Sequence, residues 1–515
     1  KQSGCNEVYS AFCAYKLGHP CKCIYTREET MASGNTRHKV RMRVRLGAMN
    51  DGTITAIDLN ALSDAGAYGY HAPTTIGLVG HKSLPIYNHV RASRFSYDVV
   101  YTNTTPGGAF RGYGATQGQF AVESAVNEMA DKLGIDPCEM RLANIVHEGE
   151  TMPQYYNEKL ESCRLDDCLR RAMEMIDWKN KPLARDLGDR VRSLGVALTM
   201  QGSGISNIDI GSVDLRLEDD GFYVLNMGAT DVGTGGDTIL AQFAAEVLGC
   251  STNRIVVNGV DTDTSPFDCG SYASSGTYVT GMAVVKAATE LREKILEQAG
   301  RVMSVEPSAL DLDGGRIFVA DDDDEVLTVG EIASGKMREM TLDDLSGRLI
   351  GFGLQPGFLS AHASNSQPVS PPPFMAGIAE VDVDKATGKV TVVDYVSAVD
   401  CGTVANANLA RVQAEGGIVQ GIGMALTEDV QRAADGGLRT NNFMQYKIPS
   451  RLDVPEIRID FCPSYEPTGP FGAKSIGEVV INTPLGAIAS AVAHATGNYV
   501  RSLPITPEKA LFGEE

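Results

Sequence analysis

The chain has 515 residues, 43% of them hydrophobic, and its 45 basic against 65 acidic side chains leave a net charge of −20. That length suggests about two to four domains and full cores without disulfide or metal staples. So acidic a chain repels phosphate backbones, which argues against nucleic acid as a partner, and its uncharged runs break before the roughly 18 to 20 apolar residues of a membrane span.

Lys1 is followed by polar and small residues rather than an apolar run, so no signal peptide is read. An apolar helix is expected over Val8 to Leu17, stopped by Gly18 and Pro20. Strands are expected at Lys22 to Tyr25, Arg41 to Leu46 and Ile54 to Ala61, the last two joined at Asn50-Asp51-Gly52 as a hairpin of a mixed sheet. Val122, Ala125, Val126, Met129, Ala130 and Leu133 recur at helical spacing, which predicts a helix from about Ala115 to Leu133 ended by Gly134. Asp136-Pro137 opens the next helix as cap and first turn.

Trp178 to Arg192 is charged, carries Pro182 and lacks a period, which reads as a linker. Beyond it are expected a strand pair, Val213 to Leu217 and Phe222 to Met227, then helices from about Thr238 to Leu248 and Val279 to Ala299. Asp321 to Asp324 reads as a solvated turn, and Leu354 to Phe374, rich in Gly, Ser and Pro, as a long ordered loop. A hairpin at Gly377 to Val383 and Lys389 to Val396 follows, and a last helix runs from Thr483-Pro484 to Gly497.

Eleven scattered cysteines fit reduced thiols in a cytoplasmic protein. Cys21 and Cys23 would share one strand face, and neither they nor Cys163 and Cys168 are extended by the further cysteines a zinc or iron-sulfur site needs; the histidines show no H-x-x-x-H spacing, so no protein-ligated metal is expected. The 55 glycines cluster in five motifs: Gly107 to Gly114, Gly228 to Gly236, Gly270 to Gly276, Gly416 to Gly423 and Gly472 to Gly477. Three open helices, whose unpaired N–H groups and dipole suit a phosphate. None is a G-x-G-x-x-G dinucleotide fingerprint within a strand and helix unit, and no P-loop is present. Together they suggest one large phosphate-bearing cofactor gripped from several sides. Glu478, on the last motif, is a candidate general base or a charge favouring a helix N-terminus.

At Arg111-Gly112-Tyr113-Gly114-Ala115-Thr116-Gln117, at Gln413 to Gly423, at Gly472-Ala473-Lys474-Ser475-Ile476-Gly477-Glu478 and at the closing Leu503 to Lys509, the chain resembles the molybdenum subunit of the xanthine dehydrogenase and aldehyde oxidase family, bacterial type. The resemblance covers essentially the whole chain, and it implies a subunit lacking its N-terminal part, which is expected as a separate chain or an unassigned stretch. It implies an α+β fold of two mixed α/β molybdopterin-binding domains, residues 1–177 and 193–515, with 178–192 as linker and the cofactor between them. It further implies a molybdenum hydroxylase using molybdopterin cytosine dinucleotide, with the metal held by the pterin dithiolene. By position, Phe110, Arg111, Gly233, Thr234, Ala273, Ser274, Ser275, Gly276 and Gln413 match the cofactor-facing motifs, and Glu478 the family's base. Many members carry glutamine where Thr234 stands.

The substrate positions fall on Gln2, Tyr113 and Asn207, while His81 and Lys82 are the only polar groups near a site where purine-oxidising relatives carry arginine. The implied substrate is an N-heteroaromatic such as xanthine, hypoxanthine or nicotinate; the alternatives are an aldehyde and a non-catalytic cofactor-binding subunit kept for assembly. Cluster ligands and a flavin fingerprint are absent from the sequence, so 2Fe-2S clusters and FAD are expected on partner chains of a hetero-oligomer.

Overall fold

The computed structural model describes residues 5–320, 337–354 and 357–514; Gln2 and the acidic run at 321–324 lie outside the described residues. The hairpin expected at Asn50-Asp51-Gly52 forms from Val40–Ala48 and Ile54–Asp64, and Ala92–Val100 adds in parallel to make a mixed three-stranded sheet. Val40, Met42, Val44 and Leu46 pack on the core while Arg41, Arg43 and Arg45 point to solvent, the period-two alternation of a sheet wet on one face. Helix Ala115–Leu133 lies against it and ends at Gly134 in the left-handed region. Asp136 then caps Pro137–Leu142 by accepting the Cys138 and Glu139 N–H groups.

No strand forms at Lys22 to Tyr25, where the chain is irregular, so Cys21 and Cys23 share no strand face. The chain turns instead into helix Arg27–Ser33, because Thr26 and Glu29 form a reciprocal capping box.

The centre of the molecule is a five-stranded sheet in the order Ile457–Phe461, Val390–Asp400, Phe374–Asp384, Arg190–Met200, Ala184–Asp186. Both faces are buried. Leu194, Val196 and Leu198 face one core, shared with helix Leu165–Ile176, while Ala197, Met375 and Ala379 face the other, shared with helix Thr483–Thr496. That helix sits close because Gly195 and Gly377 lie beneath it: a Cβ on Gly195 would be 2.1 Å from the Ala487 carbonyl oxygen. The stretch Val479–Thr496 is long and apolar enough to cross a membrane, and 83% of it is buried in this core.

The segment expected as a linker is built into the sheet. Ala184–Asp186 pairs with Arg190–Met200 as its edge strand, and Trp178 is buried with its indole N–H donating to Asp136 at 2.9 Å. A second, four-stranded sheet runs Ile255–Gly259, Tyr223–Met227, Gly211–Leu217, Ser360–Asn365, with helices Gly236–Leu248 and Gly281–Met303 packed on it. Its last strand occupies part of the expected loop Leu354 to Phe374, because the edge of Gly211–Leu217 supplies an antiparallel partner.

Candidate active site

Segments far apart in sequence meet at Glu478. One carboxylate oxygen accepts the Gly112 backbone N–H at 3.1 Å, and the other accepts the Ser274 hydroxyl at 2.9 Å. Arg111 ties in one more segment: its Nε donates to the Gly477 carbonyl at 2.5 Å, and its terminal nitrogens reach the Gln413 carbonyl and side chain, each at 3.1 Å, and Gln420 at 3.3 Å. Gln413 in turn donates to the Gly233 carbonyl at 3.4 Å. The five glycine motifs thus contribute to a single constellation.

Local backbone geometry sets these positions. Gly112 has φ of 69°, and a Cβ there would lie 2.5 Å from Asn482 Oδ1 and 2.7 Å from Thr116 Oγ1, so no other residue passes between them. Ala273 and Ser274 both take positive φ, 50° and 58°, a strained choice for side-chain-bearing residues of the kind that clusters at functional sites. The Gly204 N–H, donating to the Ala273 carbonyl at 2.8 Å, helps to hold them there. Ser275 is buried, and from Gly276 the chain makes one wide π turn before the α-helix Gly281–Met303.

One helix-opening glycine motif closes on itself, and another motif serves packing. The N–H groups of Gly233, Thr234 and Gly235 are satisfied from within, at 2.8, 2.8 and 3.2 Å from one oxygen of Asp231. Burial opposes ionisation of Asp231, but these N–H bonds outweigh it and hold the carboxyl below its usual range. The glycines of 416–423 lie inside helix Ala407–Leu426, where Gly417 packs on Val480 and Gly421 on Pro484 and Ile481. They let that helix approach the segment just after Glu478, which puts Gln413 within reach of Arg111.

Arg37, which the sequence reading missed, stacks its guanidinium 4.7 Å from the Phe110 ring and donates to the Arg111 carbonyl at 2.6 Å and to Thr116 at 3.2 Å. Burial draws it down to about 10, against the opposing pull of Glu478, Tyr446 and Glu428. Arg111 is lowered for the same first reason and is likewise opposed by Glu478. Tyr113 is buried, and desolvation, then the Glu478 charge, hold its hydroxyl well above the ordinary range. Asn207 is exposed and bonded to Gln367 and Pro368, apart from the hydrogen bonds that join Glu478, Arg111 and Gln413. Asp231, also missed, had a readable signal, since an aspartate two residues before a glycine turn commonly accepts the turn's N–H groups. Arg37 had none.

Residues 1–145 and 171–455 match the two models described as molybdopterin cofactor-binding domain. The chain is 36% identical over 528 aligned residues to a probable hypoxanthine oxidase of Escherichia coli, matching 100% of this chain and 53% of that protein, so it spans about half the length of that relative. It is 34% identical over 516 residues to an Escherichia coli xanthine dehydrogenase molybdenum-binding subunit, matching 99% of this chain and 67% of that one. Among solved structures, quinoline 2-oxidoreductase from Pseudomonas putida superimposes with a TM-score of 0.86 at 26% identity, over 98% of this chain and 65% of that chain. The chain belongs to the molybdopterin-binding, xanthine dehydrogenase family of molybdenum hydroxylases. The site has room for such a cofactor: Gly233 and Gly276 leave open space, with nothing within 4 Å of where a Cβ would stand, and Arg111, Gln413 and Ser274 are the polar side chains that would face it.

Proposed function

We propose that this chain is the cofactor-binding part of a hydroxylase that oxidises an N-heteroaromatic ring, a purine such as xanthine or hypoxanthine or else nicotinate, with oxygen derived from water. The observation that carries the reading is the placing of Glu478 at the meeting point of five glycine motifs, held by Gly112 and Ser274 and flanked by Arg111. Similarity to a hypoxanthine oxidase and a xanthine dehydrogenase subunit supports the purine class. When bound, the molybdenum cofactor, in its cytosine dinucleotide form, supplies the two-electron redox chemistry.

Glu478 acts as general base, taking a proton from the attacking oxygen. Its carboxylate is kept in place by two donors on different loops, so orientation is set before substrate arrives. Phe110, Arg111, Gly233, Thr234, Gln413 and the Ala273–Gly276 turn hold the pterin. Tyr113 offers its ring and a protonated hydroxyl to the substrate, with Gln2 and Asn207 as further contacts. Residues 1–177 and 193–515 form the two halves around the cofactor. Electrons leave to 2Fe-2S and FAD partner chains, in a cytoplasmic complex serving purine catabolism.

Steady-state rates of the molybdenum-loaded complex on xanthine, hypoxanthine, nicotinate and a benzaldehyde panel test the reading. The heterocycles should turn over fastest. Faster oxidation of every aldehyde would reassign the substrate class, and no turnover at full molybdenum content would leave an assembly subunit.

A further inference from the structure

Lys82 ends helix Ala72–His81 and is buried, only 5% exposed, yet it enters no ion pair among the described residues. Its ammonium donates to the Tyr155 hydroxyl at 3.0 Å and lies 4.3 Å from that ring. A desolvated cation so thinly compensated is expensive and points to a function.

The contacts beyond Tyr155 lead to the base. Tyr155 donates to the Ser370 carbonyl at 2.6 Å, and the Ser370 hydroxyl donates to the Gly204 carbonyl at 2.8 Å and accepts the Ser203 N–H at 3.1 Å. The turn Gly202 to Gly204 is pressed against the lysine: a Cβ on Gly202 would lie 2.7 Å from Nζ. The same turn holds both loops that flank Glu478. Ser475 donates its N–H to the Ser203 hydroxyl at 3.0 Å and its own hydroxyl to the Gly202 carbonyl at 2.9 Å, while the Gly204 N–H holds the carbonyl of Ala273, next to Ser274.

We propose that Lys82 is a positioning residue for Glu478: its contact with Tyr155 fixes the Gly202 to Gly204 turn on which both loops flanking the glutamate rest. The inference rests on reading Glu478 as the base. Burial draws the Lys82 ammonium down to about 7, with Glu158 and then Glu478 pulling the other way. The other groups facing it are His81, drawn by burial to about 3 and therefore neutral, the Tyr155 hydroxyl, and Glu158, which burial raises.

Carbon-13 NMR of Cε-labelled lysine in the whole chain without cofactor gives the first measurement, with Lys82→Arg used for assignment. One lysine should titrate near neutrality, and Glu478→Gln should lower its midpoint by about 0.3 or more, because a favourable negative charge is lost. In the loaded complex, Lys82→Met should lower kcat several-fold more than it changes KM at unchanged molybdenum content, and Lys82→Arg should keep more of the rate. A Lys82 signal that titrates like a surface lysine, or a midpoint indifferent to Glu478→Gln, overturns the proposal, as does an unchanged kcat in Lys82→Met. Full turnover in Glu478→Gln alongside a shifted Lys82 midpoint would instead remove the base assignment and leave the coupling.

Discussion

Lys474 and Asp400 form an ion pair of 2.9 Å with both side chains fully shielded from water, on the loop that leads to Glu478. The carboxylate is saturated: it also accepts the Arg164 N–H at 2.9 Å, the Gly402 N–H at 3.0 Å and the Ser464 hydroxyl at 2.6 Å. The pair therefore joins the Leu165–Ile176 helix, the Val390–Asp400 strand and the glycine loop. Lys474→Met should destabilise the chain by about 3 to 5 kcal/mol, since it strands a buried charge. Replacing both partners often relieves such a loss, but here Lys474→Met with Asp400→Leu should be no more stable than the single variant, because two buried donors, the Gly402 N–H and the Ser464 hydroxyl, lose their acceptor at about 1 to 3 kcal/mol each, and the half-buried Arg164 N–H loses its own. Urea midpoints of the two variants check this.

Glu478→Gln should lower turnover at least about a hundredfold, the usual worth of a positioned general base. The amide keeps one acceptor for the Gly112 N–H, and the Ser274 hydroxyl can rotate to suit the other end. Cofactor content and thermal midpoint should therefore stay close to wild type. Molybdenum analysis beside the rate separates the outcomes: turnover within a few-fold at equal molybdenum removes Glu478 from the chemistry.

The helix Ala115–Leu133 and the cap at Asp136 were legible in the sequence because local period and turn chemistry agree with the fold there. The meeting of the glycine motifs was legible as well, from their number. What each motif does was not. Whether the amides near Gly233 face a ligand or Asp231 depends on how the loop closes, and Gly417 shows its purpose only once Val480 lies across it. The strand Ser360–Asn365, with sequence SAHASN, alternates only through the small Ala361 and Ala363, a weak strand signal, and its neighbour's free edge completes it. Lys82 looked like one of two polar residues near the substrate, because burial and the Gly202 contact are tertiary facts.

Adjacent glycines on helix Ala407–Leu426 should respond in opposite directions. A Cβ on Gly416 would meet nothing within 4 Å, so Gly416→Ala should stabilise the chain by about 0.5 to 1 kcal/mol through helix propensity. A Cβ on Gly417 would lie 2.4 Å from a Val480 methyl and 3.0 Å from its backbone carbon, which cannot give way as a side-chain end can. Gly417→Ala should cost about 1 to 3 kcal/mol by overpacking. Because the displaced segment follows Glu478 directly, this variant should also lose turnover. Thermal midpoints of the pair, with rates measured on both, test the packing and its link to the site.

His494 donates from Nδ1 to the Leu194 carbonyl at 2.6 Å and from Nε2 to Asp131 at 3.1 Å, and it is nearly buried. Burial works against the imidazolium, but the Asp131 and Leu194 hydrogen bonds outweigh it, so the folded-state pKa is raised; Asp131 is lowered, its bonds to His494 and Tyr499 outweighing its own desolvation. A raised histidine contributes stability that is fully present below its unfolded value, about 6.5, and is lost as pH climbs through the folded one. The depressed aspartate contributes above its unfolded value, about 3.9, and loses that contribution as pH falls through the folded one. The pair's stabilisation should therefore be greatest between about pH 4 and 6.5. His494→Gln should remove the part of the decline in urea midpoint that wild type shows on going from about pH 6 to pH 9, making the two proteins most different at the acid end of that range. A difference between them that grew toward pH 9 would mean that His494 is held neutral and that the bond to Asp131 carries no charge.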